Sequence, residues 1–157
     1  MGYTHYWKFK QRPTKINGGR PKFEKSVNLL KSCIEKVPKQ IEIELWSEKE
    51  KCYKKFKFPF KLAGCRGEGE PILTNTEVIF NGAGDDAHES FVIDYLNYGK
   101  DGKWFCKTNR NTYDVAVCLA LLCFKHYFGD DFSYSSDGSS KDDGWAMAHK
   151  IFNETRK

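Results

Sequence analysis

Two cations and a hydroxyl group stand immediately before the most apolar segment of the chain. Lys107, Thr108 and Arg110 precede residues 115–128, a run so poor in polar side chains that we expect a helix buried on nearly every side. Free N–H groups and the dipole at a helix start attract anions, and the planar fork of an arginine fits phosphate or carboxylate. The pattern therefore predicts an anion site at this helix start.

The turn before this helix has a second interpretation. If Asn111 caps the helix, Asp114 falls at the third helical position and completes a shortened capping box. The cations are not needed for capping, so they are available to a ligand. Alternatively, the turn is solvated and its cations face the acidic loop around Asp85 and Asp86.

An aromatic strand at the start of the chain is the second candidate for a binding site. Residues 2–10 are rich in aromatic and β-branched types, which predicts a strand with a side-chain period of two. One face then carries Tyr3, His5, Trp7 and Phe9, and the other carries Thr4, Tyr6, Lys8 and Lys10. The first face either covers the core or lines a pocket in which a base stacks.

Polar side chains near the predicted ends of several strands could meet. They are His5, Asn81, His88, Glu89, Asp94, Ser135, Ser136 and Asp137. Their spacing matches no catalytic motif, since HExxH, GxSxG and the phosphate-loop patterns are all absent from the sequence. By type alone, the carboxylates that a metal-dependent hydrolase would use are Asp94, Asp137 and Asp143. The sequence favours binding over catalysis, and we predict neither a cofactor nor a metal.

Charge is segregated along the chain. The net charge is +5, from 26 Lys and Arg against 21 Asp and Glu in 157 residues. Residues 8–25 hold seven cations and one acid, whereas residues 68–94 hold seven acids and no Lys or Arg. Such an excess favours phosphate-bearing partners without requiring them. The lysine-rich face of residues 54–61 fits either a nucleic-acid surface or a charged guard on a sheet edge, and the guard is the favoured interpretation.

The six cysteines are expected to be mostly reduced core residues. Cys118 and Cys123 lie inside the predicted buried helix, and the start of the chain lacks the apolar stretch of a signal peptide. Cys52, Cys65 and His88 match no known zinc spacing. The longest apolar run is too short to cross a membrane, so we expect a cytoplasmic protein.

These patterns predict one α+β domain over residues 1–157, in which an antiparallel sheet packs with the central helix and two flanking helices. The first flanking helix begins at Pro21 and carries the apolar stripe Phe23, Val27, Leu30, Ile34 and Val37. The last begins within residues 142–144 and turns Trp145, Ala148, Ile151 and Phe152 inward. Strands at 77–80, 90–95 and 103–106 are expected to be successive antiparallel neighbours, and residues 41–45 a strand with one buried face.

Several short motifs together resemble a known family. They are Gly2-Tyr3-Thr4-His5-Tyr6-Trp7, Phe80-Asn81-Gly82, His88-Glu89 followed by Phe91, Phe105-Cys106-Lys107-Thr108 with Arg110, Tyr113 and Asp114, and Ser136-Asp137-Gly138. The chain thereby resembles small uncharacterised proteins of tailed bacteriophages and prophages, which begin Gly-Tyr-Thr-x-Tyr-Trp and carry Cys-Lys-Thr-x-Arg-Lys-Pro-Tyr-Asp before a helix. Where that block often has Lys-Pro, this sequence has Asn111 and Thr112, and so one cation fewer. The resemblance implies a phage accessory protein, and proteins of that class often counter host defence.

We therefore expect a protein that binds a phosphate-bearing small molecule, such as a nucleotide or a nucleotide-derived signal, without turning it over. The expected site joins residues from three segments: Tyr3, His5 and Trp7; Lys107, Thr108 and Arg110; and Ser135, Ser136 and Asp137. Two alternatives stay open. One is a nucleic-acid- or protein-binding inhibitor that uses residues 8–25 and 54–61, and the other is a metal-dependent hydrolase of nucleotides or nucleic acid.

Overall fold

The helix that follows the cationic turn lies at the centre of the fold. In the computed structural model, residues 3–139 and 142–157 are described, apart from the side chains of Lys100 and Asp143. Gly2, where the first strand was predicted to begin, and the carboxylate of Asp143 therefore lie outside the described residues. The helices are α1 (Gly19–Glu35), α2 (Asp114–Phe128) and α3 (Asp143–Thr155). The strands are β1 (Thr4–Phe9), β2 (Gln40–Ser47), β3 (Cys52–Pro59), β4 (Leu62–Ala63), β5 (Ile72–Leu73), β6 (Glu77–Gly82), β7 (Phe91–Asp94), β8 (Lys103–Lys107) and β9 (Phe132–Ser136).

Helix α2 is buried along nearly its whole length, as its composition predicts. Every residue from Asp114 to Phe124 is buried, and α1 and α3 pack against it. Phe124 contacts Phe23 of α1 with ring centroids 5.0 Å apart, and it stacks on Phe128. The helix ends at Gly129, whose φ of 55° favours a residue without a side chain. The α+β class with a central helix and two flanking helices is thus confirmed.

The flanking helices bury the faces that the sequence assigns to them. In α1 the buried stripe contains Phe23, Val27 and Leu30, although the helix begins at Gly19, two residues before Pro21. In α3 the residues turned inward are Trp145, Ala148, Ile151 and Phe152. Spacings of three and four residues keep such side chains on one face of a helix.

The antiparallel pairing is confirmed, and the described strands divide into three small antiparallel sheets. One has the order β8-β1-β9, a second contains β2 and β3, and the third contains β4, β6 and β5 with β7 paired to β6. The hairpin between β6 and β7 is confirmed. The expected pairing of 90–95 with 103–106 is wrong, since β8 pairs with β1 from the other end of the chain.

The hairpin of β2 and β3 is far more exposed than its alternating sequence predicts. Only Ile41 is buried in β2, while Leu45 is 45% exposed and Trp46 48%. The lysine face of β3 lies opposite acids of β2, with Lys55 facing Glu44 and Lys57 facing Glu42. A two-stranded ribbon without a third strand exposes most of both faces to solvent, so burial in β2 is confined to the region around Ile41.

The cysteines of the described chain are free thiols. Cys33, Cys106, Cys118 and Cys123 are buried, whereas Cys52 and Cys65 are exposed. No helix in the described ranges combines the length and apolar character needed to cross a membrane.

Candidate functional site

The β8-β1-β9 sheet divides the predicted site residues between its two faces. In the register of the three strands, His5 lies between Cys106 and Ser136, and Trp7 lies between Trp104 and Tyr134. These residues form the inner face, which packs toward the helices. Tyr6 lies between Phe105 and Ser135, on the opposite face. Ser135 and Lys107 therefore belong to a different surface from His5, Trp7 and Ser136.

A chain of buried polar groups joins the inner face of β1 to the start of α2. His5 Nε2 and Asp114 Oδ1 lie 2.6 Å apart, and Thr108 Oγ1 donates to the same oxygen at 2.5 Å. Cys118, one helical turn further on, donates its S–H to Asp114 Oδ2 at 3.6 Å. His5, Thr108 and Cys118 are fully buried and Asp114 is 5% exposed. We name His5, Thr108, Asp114 and Cys118 the polar cluster.

Burial raises the pKa of one group in the polar cluster, Cys118, and of one neighbour, Tyr3. It raises the pKa of the Cys118 thiol well above its usual value, and the Asp114 carboxylate raises it further. Burial, followed by the nearby Asp114 carboxylate, also raises the pKa of Tyr3. Both groups are therefore neutral at ordinary pH.

Tyr3 and Arg110 cover the polar cluster on its solvent side. The Arg110 guanidinium carbon lies 4.2 Å from the centroid of the Tyr3 ring, and Tyr3 packs edge-on against His5. Tyr3 donates its hydroxyl to Asp142 Oδ2 at 3.2 Å. Asn109 and Arg110 hold left-handed backbone angles, with φ of 54° and 60°, and such a conformation costs about 1 kcal/mol or more for a residue with a side chain. The turn that these two residues form brings the Arg110 side chain back over Tyr3, just before β1.

A cavity of about 160 Å³ opens beside this cover. Its described lining includes Tyr3, Arg110 and Gly144 together with four acids, which are Glu42, Glu44, Asp114 and Asp142. Among the described residues, no carboxylate forms an ion pair with Arg110. The cavity thus combines one exposed guanidinium with an excess of negative charge, which weighs against a polyanionic ligand.

The predicted role of the turn before α2 changes in the structure. Asn111 does not cap the helix, because α2 begins at Asp114 after Tyr113, and Asp114 is the first helical residue instead of the third. The side-chain amide of Asn111 instead donates to the main-chain oxygen of Asp86 at 2.8 Å. Thr112 donates its main-chain N–H and its hydroxyl to the Asp86 carboxylate, at 2.9 and 2.6 Å. A carboxylate of the protein therefore already occupies part of this turn.

The remaining predicted residues have structural partners. Ser136 accepts a hydrogen bond from the Trp145 indole at 3.1 Å, and the Asp137 carboxylate accepts one from the main-chain N–H of Thr4 at 3.0 Å. Trp7 packs on Phe91 at 4.6 Å, and its buried indole nitrogen has no hydrogen-bond partner in the described structure. The rings of Tyr3, His5 and Trp7 thus pack against protein groups.

Two of the carboxylates proposed for a hydrolase, Asp94 and Asp137, lie at the ends of strands of different sheets. Asp94 Oδ1 accepts hydrogen bonds from the main chain of Leu96 and Asn97, beyond the end of β7. Asp137 follows β9 in another sheet. Within the described ranges, the one group of three side chains arranged to hold a metal ion is His5, Asp114 and Cys118. Local sequence spacing gives no signal for this group, since His5 and Asp114 are 109 positions apart.

The outer face of the β8-β1-β9 sheet carries two residues of the predicted site, Lys107 and Ser135, together with six that the predicted site did not include. Three cross-strand rows cover it: Lys107 with Thr4; Phe105 with Tyr6 and Ser135; and Lys103 with Lys8 and Ser133. We name these eight residues the open face. Tyr6 is 45% exposed and Phe105 64% exposed, and a groove of about 640 Å³ runs over them. The alternation of Tyr6 and Lys8 with buried neighbours is the sequence signal that could have identified this face.

No family model matches this chain, no curated protein is similar to it at a significant level, and no solved structure matches it.

Proposed function

We propose that this protein binds single-stranded nucleic acid on the open face. The observation that carries the proposal is the central row, in which the exposed rings of Phe105 and Tyr6 lie side by side on adjacent strands. Lysines occupy the rows on either side, with Lys107 in one and Lys8 and Lys103 in the other.

This arrangement suits a strand of nucleotides. Successive bases stack on exposed aromatic rings, which contributes about 1–3 kcal/mol per base and requires no particular sequence. Rows two residues apart along a strand are separated by about 7 Å, so the lysines can reach phosphates on both sides of the stacked bases. Ser135 ends the aromatic row and adds a hydroxyl that both donates and accepts hydrogen bonds.

The charge of this face complements a phosphate backbone. The sequences of β1, β8 and β9 contain no Asp or Glu, and Asp101 is the acid among the described residues that line the groove. Beyond the Lys8 row lies the basic loop before α1, where the Arg12 guanidinium carbon sits 5.7 Å from the centroid of the Tyr98 ring. Tyr98 in turn donates its hydroxyl to the main-chain oxygen of Phe9. The loop thereby extends the positive surface past the end of β1.

Binding of short oligonucleotides tests the proposal directly. Fluorescently labelled single-stranded DNA and RNA of mixed sequence, with a duplex of the same sequence as a comparison, are titrated and followed by anisotropy. Three lysine–phosphate contacts give a slope of log affinity against log salt of about −2, so raising salt from about 50 to about 200 mM should weaken binding about 20-fold. Both single strands should bind more tightly than the duplex, whose bases are already stacked.

Matched variants locate the surface. Tyr6→Ala and Phe105→Ala should each weaken binding by about 5- to 150-fold, the equivalent of one lost stacking contact. Tyr53→Ala removes a ring that is 68% exposed on the β2–β3 hairpin and should leave affinity unchanged. Lys8→Ala should reduce the salt slope by about 0.7, whereas Lys31→Ala on α1 should not. Absence of binding at low salt, or equal losses for Tyr6→Ala and Tyr53→Ala, would refute the proposal.

A phosphate-bearing small molecule at the Arg110 cavity is the second candidate function. Its support is the exposed guanidinium, which lines both the 160 Å³ cavity and a neighbouring one of about 630 Å³ that also contains Lys61. Nucleotides, cyclic dinucleotides and ADP-ribose derivatives should then raise the melting temperature, because a ligand stabilises the state that binds it. Arg110→Ala should abolish this response, and Arg20→Ala on α1 should preserve it.

The acids that line both cavities give the small-molecule proposal less support than the open face has. A panel without any stabilising compound, or an unchanged response in Arg110→Ala, would reject it. The counter-defence role that the phage resemblance implies stays a prediction, as does the alternative of a hydrolase.

A further inference from the structure

The polar cluster contains three different metal-binding groups in mutual reach. An imidazole nitrogen of His5, the Asp114 carboxylate and the Cys118 thiol offer one ligand atom each, and these atoms lie within 4.8 Å of one another. The shortest separations are 2.6 Å from His5 Nε2 to Asp114 Oδ1 and 3.6 Å from Cys118 Sγ to Asp114 Oδ2. Nitrogen, oxygen and sulfur ligands together are typical of zinc and of neighbouring transition metals, and atypical of magnesium or calcium.

The buried imidazole is incompletely satisfied by the protein. His5 is fully buried, yet its Nδ1 has no hydrogen-bond partner within the described part of the structure. The other ring nitrogen, Nε2, lies 2.6 Å from Asp114 Oδ1, so it is the atom that an ion shared with Asp114 would contact. The two ring nitrogens point in nearly opposite directions, and Nδ1 therefore lies away from such an ion. His5 thus offers the ion one buried nitrogen that is already directed at the carboxylate.

Gly144 keeps the opposite side of the cluster open. A Cβ on this residue would come closer than 3.0 Å to Asp114 Oδ2, and it would lie 3.5 Å from Asp114 Cγ and 3.9 Å from Cys118 Sγ. Gly144 thus lies beside Asp114 Oδ2 and Cys118 Sγ, and its lack of a side chain leaves space next to these two ligand atoms. Gly144 and Asp114 also line the 160 Å³ cavity, which gives an ion a route from solvent.

We propose that His5, Asp114 and Cys118 form a binding site for a zinc-class transition-metal ion, with a fourth position that opens toward the cavity. Binding forms metal–sulfur, metal–nitrogen and metal–oxygen bonds and breaks the hydrogen bonds that Asp114 makes with His5 and with Cys118. The Cys118 thiol proton and the proton of the His5–Asp114 hydrogen bond leave to solvent. Three protein ligands and one open position are the arrangement of zinc sites that accept water or a substrate group. The site lies on the inner side of the sheet, so it is independent of the open face.

Cobalt is the probe for this site, because Co²⁺ occupies zinc sites and reports thiolate ligation by absorption. The titration uses chelator-treated protein without an affinity tag, carrying Cys52→Ala and Cys65→Ala to remove the exposed thiols. One equivalent of Co²⁺ should produce a thiolate-to-metal charge-transfer band together with visible bands of tetrahedral intensity. One equivalent of Zn²⁺ should then abolish both.

Single variants in the same background assign the ligands. Cys118→Ala should lose the charge-transfer band, whereas Cys123→Ala, which removes another fully buried thiol of α2, should retain it. Asp114→Asn preserves shape, so it should keep the band but weaken cobalt binding at least tenfold. Circular dichroism confirms that each variant is folded.

Two outcomes would overturn the proposal. The first is the absence of a charge-transfer band at any cobalt concentration in folded parent protein, which would leave the cluster a purely hydrogen-bonded one. The second is a band that persists in Cys118→Ala. If Cys118→Ala is unfolded, His5→Gln decides, since the loss of its imidazole must weaken cobalt binding at least tenfold if His5 is a ligand.

Discussion

Replacing Gly144 with alanine tests how tightly α3 packs on the start of α2. The added methyl group would come closer than 3.0 Å to Asp114 Oδ2. That carboxylate cannot swing away freely, because His5 and Thr108 hold its other oxygen at 2.6 and 2.5 Å. The substitution must therefore shift a helix or disrupt the polar cluster.

Two opposing effects set the size of the change. Alanine is favoured over glycine in a helix by up to about 1 kcal/mol. Overpacking a filled site costs about 1–3 kcal/mol, and hydrogen bonds to a charged group that are weakened by the shift contribute about 1.5–3 kcal/mol each when lost. We expect the clash to dominate, so Gly144→Ala should lower the free energy of unfolding by about 1–3 kcal/mol. In a chain of this length, each kcal/mol of lost stability should lower the melting temperature by roughly 2–4 °C.

Urea unfolding followed by circular dichroism measures the change, and a double-mutant cycle assigns its cause. In an Asp114→Ala background the clashing oxygen is gone, so Gly144→Ala should be neutral or stabilising there. The resulting coupling energy should be about 1–3 kcal/mol, as for residues in direct contact. A Gly144→Ala protein as stable as the wild type, or the same cost in both backgrounds, would show that this contact does not control the packing.

Two further predictions concern the acidic loop and the thiols. Asp86→Ala should destabilise the protein by about 1–3 kcal/mol in urea unfolding, because Thr112 loses the acceptor for its N–H and its hydroxyl. The control Asp85→Ala, at an exposed position, should change stability by less than about 0.5 kcal/mol. Equal effects of the two substitutions would contradict the assigned hydrogen bonds. A colorimetric thiol reagent should find two fast thiols, Cys52 and Cys65, in the native protein. Burial raises the pKa of Cys106 and Cys118, so both should react only on unfolding, and rapid native reaction of either would contradict their placement.

The helices were predictable because their evidence is local. An apolar run at 115–128 and the spacing of Phe23, Val27 and Leu30 specify buried surfaces without reference to the rest of the chain. The sheet pairing was not predictable in the same way. Neighbouring strands in sequence usually pair, which favoured β7 with β8, whereas β8 pairs with a strand about 100 residues earlier.

The two candidate sites also differ in whether local sequence or long-range contacts define them. The polar cluster requires His5 of β1 to meet Thr108, Asp114 and Cys118 from the other end of the chain, and no periodicity encodes such a meeting. The open face was within reach, because the alternation in β1 separates Tyr6 and Lys8 from the buried residues between them. The sequence-based prediction placed the site on the inner side because that side has the larger aromatic content, and burial of aromatic area is what a core also requires.

Because β1 has one buried and one exposed side, its length is constrained as strictly as its composition. Side chains alternate with a period of two, so deleting or inserting one residue within Thr4–Phe9 would exchange the faces of every residue beyond that point. A change before His5 would turn its imidazole to solvent, and a change at any point before Lys8 would push Lys8 against the core. In laboratory evolution, single-residue indels in this hexapeptide should therefore be eliminated even where individual substitutions on its outer side survive.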